Sequence, residues 1–318
     1  MKKKCLALCA AILLLVLSFA AFSRLYYHLS AMATAIEYYF RLKNVRAKYT
    51  DTAYADRLLE QKRQAADQQV HAPDNLKCDV REETVNGQQV FRVAPETPSD
   101  TTVIFLHGGA FVHNPNRFHW NFADNLARRT GASVVIPIYP LAPRHTFEET
   151  YALLDAVYAE TEGRVILMGD SAGGSLAAGF SEYLVENGMP QSDHLILISP
   201  LMDGTFSNPE ISAYEDCDPM LGVYGLKQIC SVWAGDAGLA DYRISPVCGD
   251  VSRLKNVTVF IGERDLFYPD CVRFYEKLQN AGVESRLVVG KGMIHDYVLL
   301  PIPEAWSAMD EICEIVAE

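Results

Sequence analysis

The sequence predicts an α/β protein with a mostly parallel sheet of eight strands and helices on both faces. Eight apolar, strand-like runs support this prediction, at about 78–84, 88–93, 101–107, 133–138, 164–168, 194–198, 257–262 and 285–290. After the first two or three runs, segments of helical length separate the strands, and such alternation is typical of parallel sheets. The first two runs are joined through Asn86-Gly87, a dipeptide typical of tight hairpins, so we expect an antiparallel edge there.

The length of the chain fits one large domain. Its 318 residues, 49% of them hydrophobic, are enough to bury one core of the size that α/β sheets reach within a single domain. No internal repeat or long low-complexity tract is visible. We therefore divide the chain into a hydrophobic segment at 1–30, a helical segment at 31–75 and a main domain at 76–318.

The first segment has the pattern of an export signal. Lys2-Lys3-Lys4 precedes an uncharged stretch from Cys5 to Phe22, which ends before Arg24. The length of this stretch is at the lower limit for a helix that crosses a bilayer. The lysines are expected to stay in the cytoplasm, which would place the main domain outside it.

Two interpretations of this segment stay open. The possible cleavage sites are Ser18-Phe19-Ala20 and the more distant Ala31-Met32-Ala33, and neither is a clean signal-peptidase site. We therefore favour a retained membrane anchor, with Tyr26 and Tyr27 as aromatic side chains at the interface. The alternative is a cleaved signal peptide and a secreted domain.

Residues 31 to about 72 are predicted to be helical. Apolar side chains recur there at the spacing of one helix face, with charged residues between them. The apolar set is Ile36, Tyr39, Phe40, Leu42, Val45 and Tyr49. The interspersed basic cluster, Arg41, Lys43, Arg46 and Lys48, fits a position near a membrane and fits a solvated helix face equally well.

The turn Gly169-Asp170-Ser171-Ala172-Gly173 is the strongest functional signal. It follows the apolar run 165–168 and precedes a segment that favours helix, Ala172 to Glu186. A serine on a tight turn between strand and helix presents its hydroxyl at the edge of the sheet, where it can act as a nucleophile. An ordinary turn between strand and helix is the alternative for this pattern taken alone.

A second loop strengthens the interpretation of Ser171. The segment Phe105 to Phe111 contains His107-Gly108-Gly109 directly after a strand-like run. Adjacent glycines expose backbone N–H groups that can stabilise an oxyanion. Gly108, Gly109 and the N–H of Ala172 are therefore the candidate oxyanion-hole donors. We expect His107 to be structural and to shape the glycine loop.

A nucleophilic serine needs a base, and the base needs a partner that fixes its tautomer. His295 follows the last strand-like run and is the candidate base. Glu263, Asp265 and Asp270 all follow the run at 257–262, and we favour Asp265 as the acid. Asp270 is expected to cap a helix from about Cys271 to Asn280 instead. The carboxyl ends of parallel strands are where such side chains meet.

These blocks together resemble the hormone-sensitive-lipase-like family of α/β-hydrolases, from about residue 80 to the C-terminus. The matching residues are His107-Gly108-Gly109, Tyr139-Pro140-Leu141-Ala142-Pro143, Gly169-Asp170-Ser171-Ala172-Gly173-Gly174, Ser199-Pro200, Asp218-Pro219, Ser245-Pro246, the Asp265 loop and Gly292-Met293-Ile294-His295. The sequence departs from the family pattern at Ala110, where a third glycine is usual, and at Asp296. The resemblance implies an α/β-hydrolase fold with Asp265 as the triad acid, and we take Asp170 as a supporting residue.

The resemblance also implies a helical cap over the pocket. The segment 31–75 would be part of this cap or a stalk, and 208–235 is the other expected contributor. Candidate pocket residues are Phe111, Tyr139, Met220, Leu221 and Tyr268.

Charge and cysteine content limit the partners. The net charge is -12, and residues 1–30 contain four basic and no acidic side chains, so the rest of the chain carries -16. Such a domain repels nucleic acid and anionic lipid headgroups, and we expect neutral or cationic substrates. Six cysteines outside the apolar segment permit disulfides without selecting a pairing. No metal-ligand spacing or dinucleotide motif is present, so we expect no metal and no cofactor.

The predicted function is therefore a serine carboxylesterase that hydrolyses short-chain or small neutral esters by a Ser-His-Asp mechanism. One alternative is a deacetylase or amidase that acts on an envelope or sterol-like substrate. The alternative from another class is a membrane-tethered binding protein without catalysis. The oligomeric state is left open.

Overall fold

The computed structural model describes the backbone of residues 2–318 and the side chains of residues 10–318. Its strands are β1 (Asp79–Val85), β2 (Gln88–Ala94), β3 (Thr101–Leu106), β4 (Ser133–Pro137), β5 (Arg164–Asp170), β6 (His194–Ile198), β7 (Val257–Gly262) and β8 (Ser285–Gly290). They form one sheet in the order β1-β2-β4-β3-β5-β6-β7-β8. The pairs β1·β2 and β2·β4 are antiparallel and the other pairs are parallel. The predicted sheet, with its hairpin at one edge, is confirmed.

Some helices cover both faces of this sheet, and others lie outside it, among them the exposed helix at the N-terminus. The helices are α1 (Lys2–Phe22), α2 (Ala31–Leu42), α3 (Ala47–Thr50), α4 (Thr52–Gln64), α5 (Arg117–Thr130), α6 (Phe147–Ala159), α7 (Ala172–Glu186), α8 (Ile211–Glu215), α9 (Val223–Ala234), α10 (Tyr268–Asn280) and α11 (Pro303–Ala317). Strand β3 shows why two cores form, because its side chains alternate between the faces. Val103 and Phe105 join one core with α5 and α11, whereas Ile104 and Leu106 join the other with α6, α7 and α10.

The apolar window Ala10–Tyr27 comprises the second part of α1 and the π-helical turn Ser23–Tyr27, and it is long and apolar enough to cross a membrane. The window is almost entirely exposed. By length and composition it fits both a signal anchor and a signal peptide. The side chains of Lys2-Lys3-Lys4, Cys5 and Cys9 lie outside the described side chains.

The helical prediction for residues 31 to about 72 is wrong in its last part. Helix α4 ends at Gln64, and no helix follows before β1. The predicted apolar face is also only partly buried. Tyr49 is buried, whereas Tyr39 and Leu42 are exposed. The segment therefore packs as three separate helices, and each presents its own face to the domain.

Two smaller expectations are corrected. Helix α10 begins at Tyr268, with Pro269 in its first turn, so Asp270 lies inside the helix and does not cap it. The Asp270 carboxylate instead accepts a hydrogen bond from Asn208 Nδ2 at 2.9 Å. The six cysteines outside the apolar segment are free thiols, so the disulfides that their even number permitted do not form among the described side chains.

Glu182 on α7 is a buried acid whose two carboxylate oxygens have no hydrogen-bond partner among the described residues. Burial raises its pKa from 4.5 to about 9. The native state therefore keeps the proton of Glu182 up to about pH 9, whereas the unfolded chain loses it above about pH 4.5. Between these two pKa values the unfolded state binds fewer protons, so stability is lost as pH rises.

Glu182→Gln is expected to stabilise the protein at neutral pH and to have little effect near pH 4. The gain at pH 7 is on the order of 3 kcal/mol, because the glutamine removes the cost of protonating the buried acid. Denaturant unfolding of the full chain in detergent, at pH 4 and at pH 7, measures the difference. An equal effect at both pH values would instead assign the change to packing.

Candidate active site

Ser171 lies on the sharp turn between β5 and α7. Its backbone has φ 51° and ψ -117°, a strained conformation for a residue with a side chain. The turn is held by the Ser171 N–H, which donates to the Ile198 carbonyl at 2.8 Å. Gly173 makes the turn possible, because a Cβ there would overlap the backbone carbonyl of Leu106 on β3. This geometry holds the Ser171 hydroxyl at the carboxyl edge of the sheet.

His295 and Asp265 meet Ser171 at that edge. The distance from His295 Nε2 to Ser171 Oγ is 3.0 Å, and His295 Nδ1 lies 2.9 Å from Asp265 Oδ2. His295 follows β8 and Asp265 follows β7, so neighbouring parallel strands deliver both side chains to one place. The structure therefore brings the three predicted side chains together in a continuous hydrogen-bonded series.

The other two candidate acids point elsewhere. Glu263 accepts a hydrogen bond from the Gly292 N–H, and Asp270 bonds Asn208. Asp265 is fully buried, and its second oxygen accepts the Phe267 N–H at 2.9 Å. These two contacts fix the carboxylate against the imidazole.

A further buried carboxylate, Asp218, lies beside this series. Its oxygens accept the backbone N–H groups of Met220, Leu221 and Leu266. Ligand atoms of Asp218, Asp265 and His295 lie within 4.8 Å of one another, which is the spacing of a metal site. Hydrogen bonds already engage all three side chains. Burial and the nearby Asp265 raise the pKa of Asp218 to about 6.

His295 also contacts a second carboxylate. Asp296 Oδ2 lies 3.1 Å from the same Nε2 atom that faces Ser171. Burial opposes protonation of the ring, but the carboxylates of Asp265 and Asp296 outweigh it and hold the pKa of His295 well above its ordinary value. Burial also raises the pKa of Asp296 to about 6. The sequence identified Asp296 only as a departure from the family pattern.

The glycine loop differs from the prediction at one donor. The Gly108 N–H donates to Asp170 Oδ1 at 2.9 Å, so it is not available to an oxyanion. Gly109 and Ala110 border the cavity in front of Ser171, and their N–H groups have no acceptor within the described part of the chain. Ala172 is the first residue of α7, so its N–H has no partner within the helix. The available donors are therefore Gly109, Ala110 and Ala172.

His107 and Asp170, the two residues predicted to support the site, both contact the glycine loop. Asp170 joins Gly108 to His119, whose Nε2 lies 3.1 Å from Asp170 Oδ2. His107 places Nδ1 2.8 Å from the Gly108 carbonyl, and its ring stacks on Tyr139. Burial and the nearby His119 lower the pKa of His107 to about 3, so its ring is neutral. No motif in the sequence marks His119 as part of this site.

A cavity of about 360 Å³ lies in front of Ser171 and His295. Its remaining lining residues are Val45, Lys48, Tyr49, Gly109, Ala110, His113, Asn114, Asn116, His119, Met220, Leu221, Leu226 and Asp296. Of the predicted pocket residues, Met220 and Leu221 line it. Val45, Lys48 and Tyr49 come from the N-terminal segment, so that segment contributes to the cavity together with the chain around α9.

Three predicted pocket residues lie away from this cavity. Phe111 is buried and stacks on Trp233, with ring centroids 4.8 Å apart. Tyr139 is buried against His107 and donates its hydroxyl to the His107 carbonyl. Tyr268 stacks on Tyr214. All three rings therefore pack against other parts of the protein.

Known proteins resemble this chain over most of its length. A protein family described by the alpha/beta hydrolase fold matches residues 103–299. The chain is 30% identical over 223 residues to a triacylglycerol lipase of Mycobacterium tuberculosis, covering 68% of this chain and 46% of the lipase. The chain therefore spans less than half of that lipase. An esterase of Acinetobacter venetianus is 28% identical over 251 residues, covering 76% of this chain and 83% of the esterase.

Solved structures of esterases share the fold of this chain. The crystal structure of an esterase candidate from Staphylococcus aureus has a TM-score of 0.82 at 29% identity, covering 86% of this chain and 96% of that one. An esterase from the bacterial hormone-sensitive lipase family has a TM-score of 0.71 at 22% identity, covering 83% of this chain and 97% of that one, and it shares the fold. The resemblance predicted from the sequence is confirmed. With this sheet, the serine turn after β5 and a family match over residues 103–299, the chain belongs to the α/β-hydrolase fold family.

Proposed function

We propose that this protein is a serine carboxylesterase that hydrolyses short-chain or small neutral esters. The observation that supports it most directly is the series from Ser171 Oγ through His295 to Asp265, with contacts of 3.0 and 2.9 Å. A serine hydroxyl in contact with an imidazole that a buried carboxylate orients is the arrangement that acyl transfer requires. The relatives named as esterases and lipases support the same class.

The reaction proceeds in two steps. His295 Nε2 takes the proton of Ser171 as Oγ bonds to the ester carbonyl carbon, and the N–H groups of Gly109, Ala110 and Ala172 stabilise the oxyanion. The bond between this carbon and the alkoxy oxygen then breaks, and His295 gives its proton to the leaving alcohol. Water repeats the sequence on the acyl-serine, which releases the acid and restores the Ser171 hydroxyl.

The size of the cavity favours a small acyl group. A volume of about 360 Å³ lies at the lower end of the range for ligand pockets. Apolar side chains of Val45, Met220 and Leu226 occupy part of its lining. A series of p-nitrophenyl esters of increasing acyl length, hydrolysed by the full chain, tests this. We expect kcat/KM to fall beyond short chains.

The two alternatives differ in measurable ways. An amidase or amide deacetylase would cleave acetamides or N-acetylated envelope sugars at a rate comparable to acetate esters, and a carboxylesterase would not. A binding protein without an activated serine would not react with a fluorophosphonate probe. We expect labelling of Ser171, and a folded protein that neither labels nor hydrolyses any ester of the series would contradict the proposal.

Asp296→Asn is expected to move the acidic limb of the kcat/KM profile to lower pH. A protonated His295 cannot accept the Ser171 proton, and removal of one neighbouring carboxylate lowers the pKa of the imidazole. Asparagine keeps the shape of the side chain and tolerates the φ of 53° at this position. Profiles of both proteins from pH 5 to 9 with p-nitrophenyl acetate measure the shift. An unchanged limb would mean that Asp296 does not influence the base.

We further propose that the N-terminal segment is a retained membrane anchor and that the catalytic domain lies outside the cytoplasm. The window Ala10–Tyr27 and the preceding Lys2-Lys3-Lys4 support this orientation. Mass determination of the protein in isolated membranes tests it, because signal cleavage would remove the N-terminal peptide and release the domain.

A further inference from the structure

Helix α2 exposes an apolar stripe on its surface. Met32, Ala35, Tyr39 and Leu42 recur at intervals of three and four residues, so they share one face. Met32 is 52%, Tyr39 is 55% and Leu42 is 85% exposed. A helix on the surface of a protein normally packs such a face against the core. We call these four residues the α2 stripe.

The opposite face of α2 is fixed to the domain. Glu37 accepts two hydrogen bonds from Arg264, at 2.6 and 2.7 Å. Arg41 donates to the Cys217 carbonyl at 2.8 Å. At the start of the helix, Ala33 and Thr34 are buried. Contacts on this face hold the helix in one orientation, so the α2 stripe remains directed away from the domain.

The stripe continues the apolar surface of the N-terminal helix. Only three residues separate Tyr27, the end of the apolar window, from Ala31, the first residue of α2. An extended chain bridges at most about 14 Å over that interval, so the stripe starts close to the end of the window. Leu25 and Tyr26 at that end are 78% and 69% exposed.

Lys43 places positive charge next to the stripe, in a protein with a net charge of -12. The other basic side chains of residues 41–48 face the protein, because Arg41 bonds Glu37 and the Cys217 carbonyl, Arg46 lies 3.5 Å from Asp216 and Lys48 borders the cavity. Lys43 directly follows Leu42, the last residue of the stripe. An amphipathic helix with an apolar face and flanking basic residues is typical of helices that lie in the boundary between headgroups and acyl chains.

The stripe is also close to the catalytic cavity along the chain. Val45, which lines the cavity, comes three residues after Leu42, and Lys48 and Tyr49 follow. Arg41 contacts the segment that carries Met220 and Leu221 into the same cavity. A molecule dissolved at the depth of the stripe would therefore lie near residues that border Ser171.

We propose that the α2 stripe lies in the lipid boundary of the bilayer and that the protein takes its ester from there. The substrate class is then a short acyl ester of a lipophilic alcohol, with the alcohol held in the bilayer and the acyl group in the cavity. The proposed contact of the stripe with lipid does not depend on catalysis. The proposed substrate class rests on the proposed esterase function.

The first experiment tests lipid contact without any need for activity. The full chain with Leu42→Trp is reconstituted in phosphatidylcholine vesicles with and without brominated acyl chains, and the wild type with its three tryptophans gives the background. The control is Glu162→Trp, an exposed position just before β5 and thus at the opposite edge of the sheet from Ser171. We expect bromine to quench the added fluorescence of Leu42→Trp and to leave that of Glu162→Trp unchanged.

The second experiment tests the substrate class. Met32→Gln/Leu42→Gln removes two apolar side chains from the stripe with residues that keep helix propensity and charge. Loss of this burial is expected to lower the hydrolysis of hexadecyl acetate in vesicles about tenfold or more. Hydrolysis of water-soluble p-nitrophenyl acetate should stay at the wild-type rate. Tyr54→Gln on α4, an exposed aromatic outside the stripe, is the matched control and should change neither rate.

Each outcome tests a different part of the proposal. An absence of lipid quenching at Leu42→Trp would overturn membrane docking, and a blue shift that depends on protein concentration would assign the stripe to a second copy of the chain. A parallel loss of both acetate activities would overturn delivery from the bilayer. Quenching by lipid at Leu42→Trp, together with a wild type that hydrolyses neither ester, would support docking and contradict the esterase proposal.

Discussion

Ser171→Ala is expected to lower kcat for p-nitrophenyl acetate by about 10⁶-fold, because removal of the nucleophile leaves only binding and oxyanion stabilisation. The hydroxyl is the atom that His295 contacts at 3.0 Å, and no other hydroxyl group borders the cavity except that of Tyr49 among the described lining residues. Stopped-flow and end-point assays of the full chain in detergent measure the loss, with fluorophosphonate labelling as a second readout.

The stability of Ser171→Ala provides a control for the loss of activity. Ser171 holds the turn through its backbone N–H and carbonyl groups, which alanine retains. Unfolding of Ser171→Ala should therefore follow that of the wild type closely. A folded variant that still hydrolyses the ester at a substantial rate, or still labels with the probe, would refute Ser171 as the nucleophile.

Asp265→Asn is expected to lower kcat by about 10⁴-fold. The carboxylate accepts from His295 Nδ1 and so leaves Nε2 free to take the Ser171 proton, whereas an asparagine amide can donate to Nδ1 and stabilise the wrong tautomer. The measurement is kcat across the pH range, because a change of tautomer lowers the whole profile and does not merely displace it.

Two neighbouring acids are the matched controls for this assignment. Asp270→Asn and Glu263→Gln alter carboxylates of the same strand-end region that contact Asn208 and Gly292. Neither contacts the imidazole, so both variants should keep most of the activity. If Asp265→Asn were harmless and Asp270→Asn were not, the assignment of Asp265 as the triad acid would be wrong.

The sheet was predictable because its strands are short apolar runs bounded by turns. Strands β6, β7 and β8 begin and end where their runs do, and the helix after Ser171 has the predicted bounds. The positions of Ser171, Asp265 and His295 followed from the same strands, since side chains just beyond the ends of parallel strands share one edge. Local sequence was sufficient for these features.

The cavity was less predictable because packing between distant segments decides it. Phe111 and Tyr139 have the apolar rings expected of pocket residues, but Trp233 and His107 stack on them and remove them from the cavity. Val45 and Lys48 border the cavity only because the short helices after α2 fold onto the chain around α9. No pattern within one segment contains that information.

The oxyanion donors were also only partly predictable, because the backbone angles of single residues decide them. The glycines of the loop identified it, but the direction of each N–H depends on successive backbone angles. The Gly108 N–H turns toward Asp170, whereas Ala110 adopts a φ of 53° beside the cavity. Asp170 was a supporting candidate, and its link to His119 depends on a side chain from α5 that is distant in the sequence.

Ser30 joins the N-terminal segment to the C-terminal helix α11. Its side chain accepts the Ala33 N–H and so caps α2, and its hydroxyl and N–H both donate to Glu304 on α11. A protease cut after Ala33 would remove this residue and release the first turn of α2, whereas a cut after Ala20 would leave it in place. Processing at the later site would thus deprive the mature enzyme of a contact that joins its two ends.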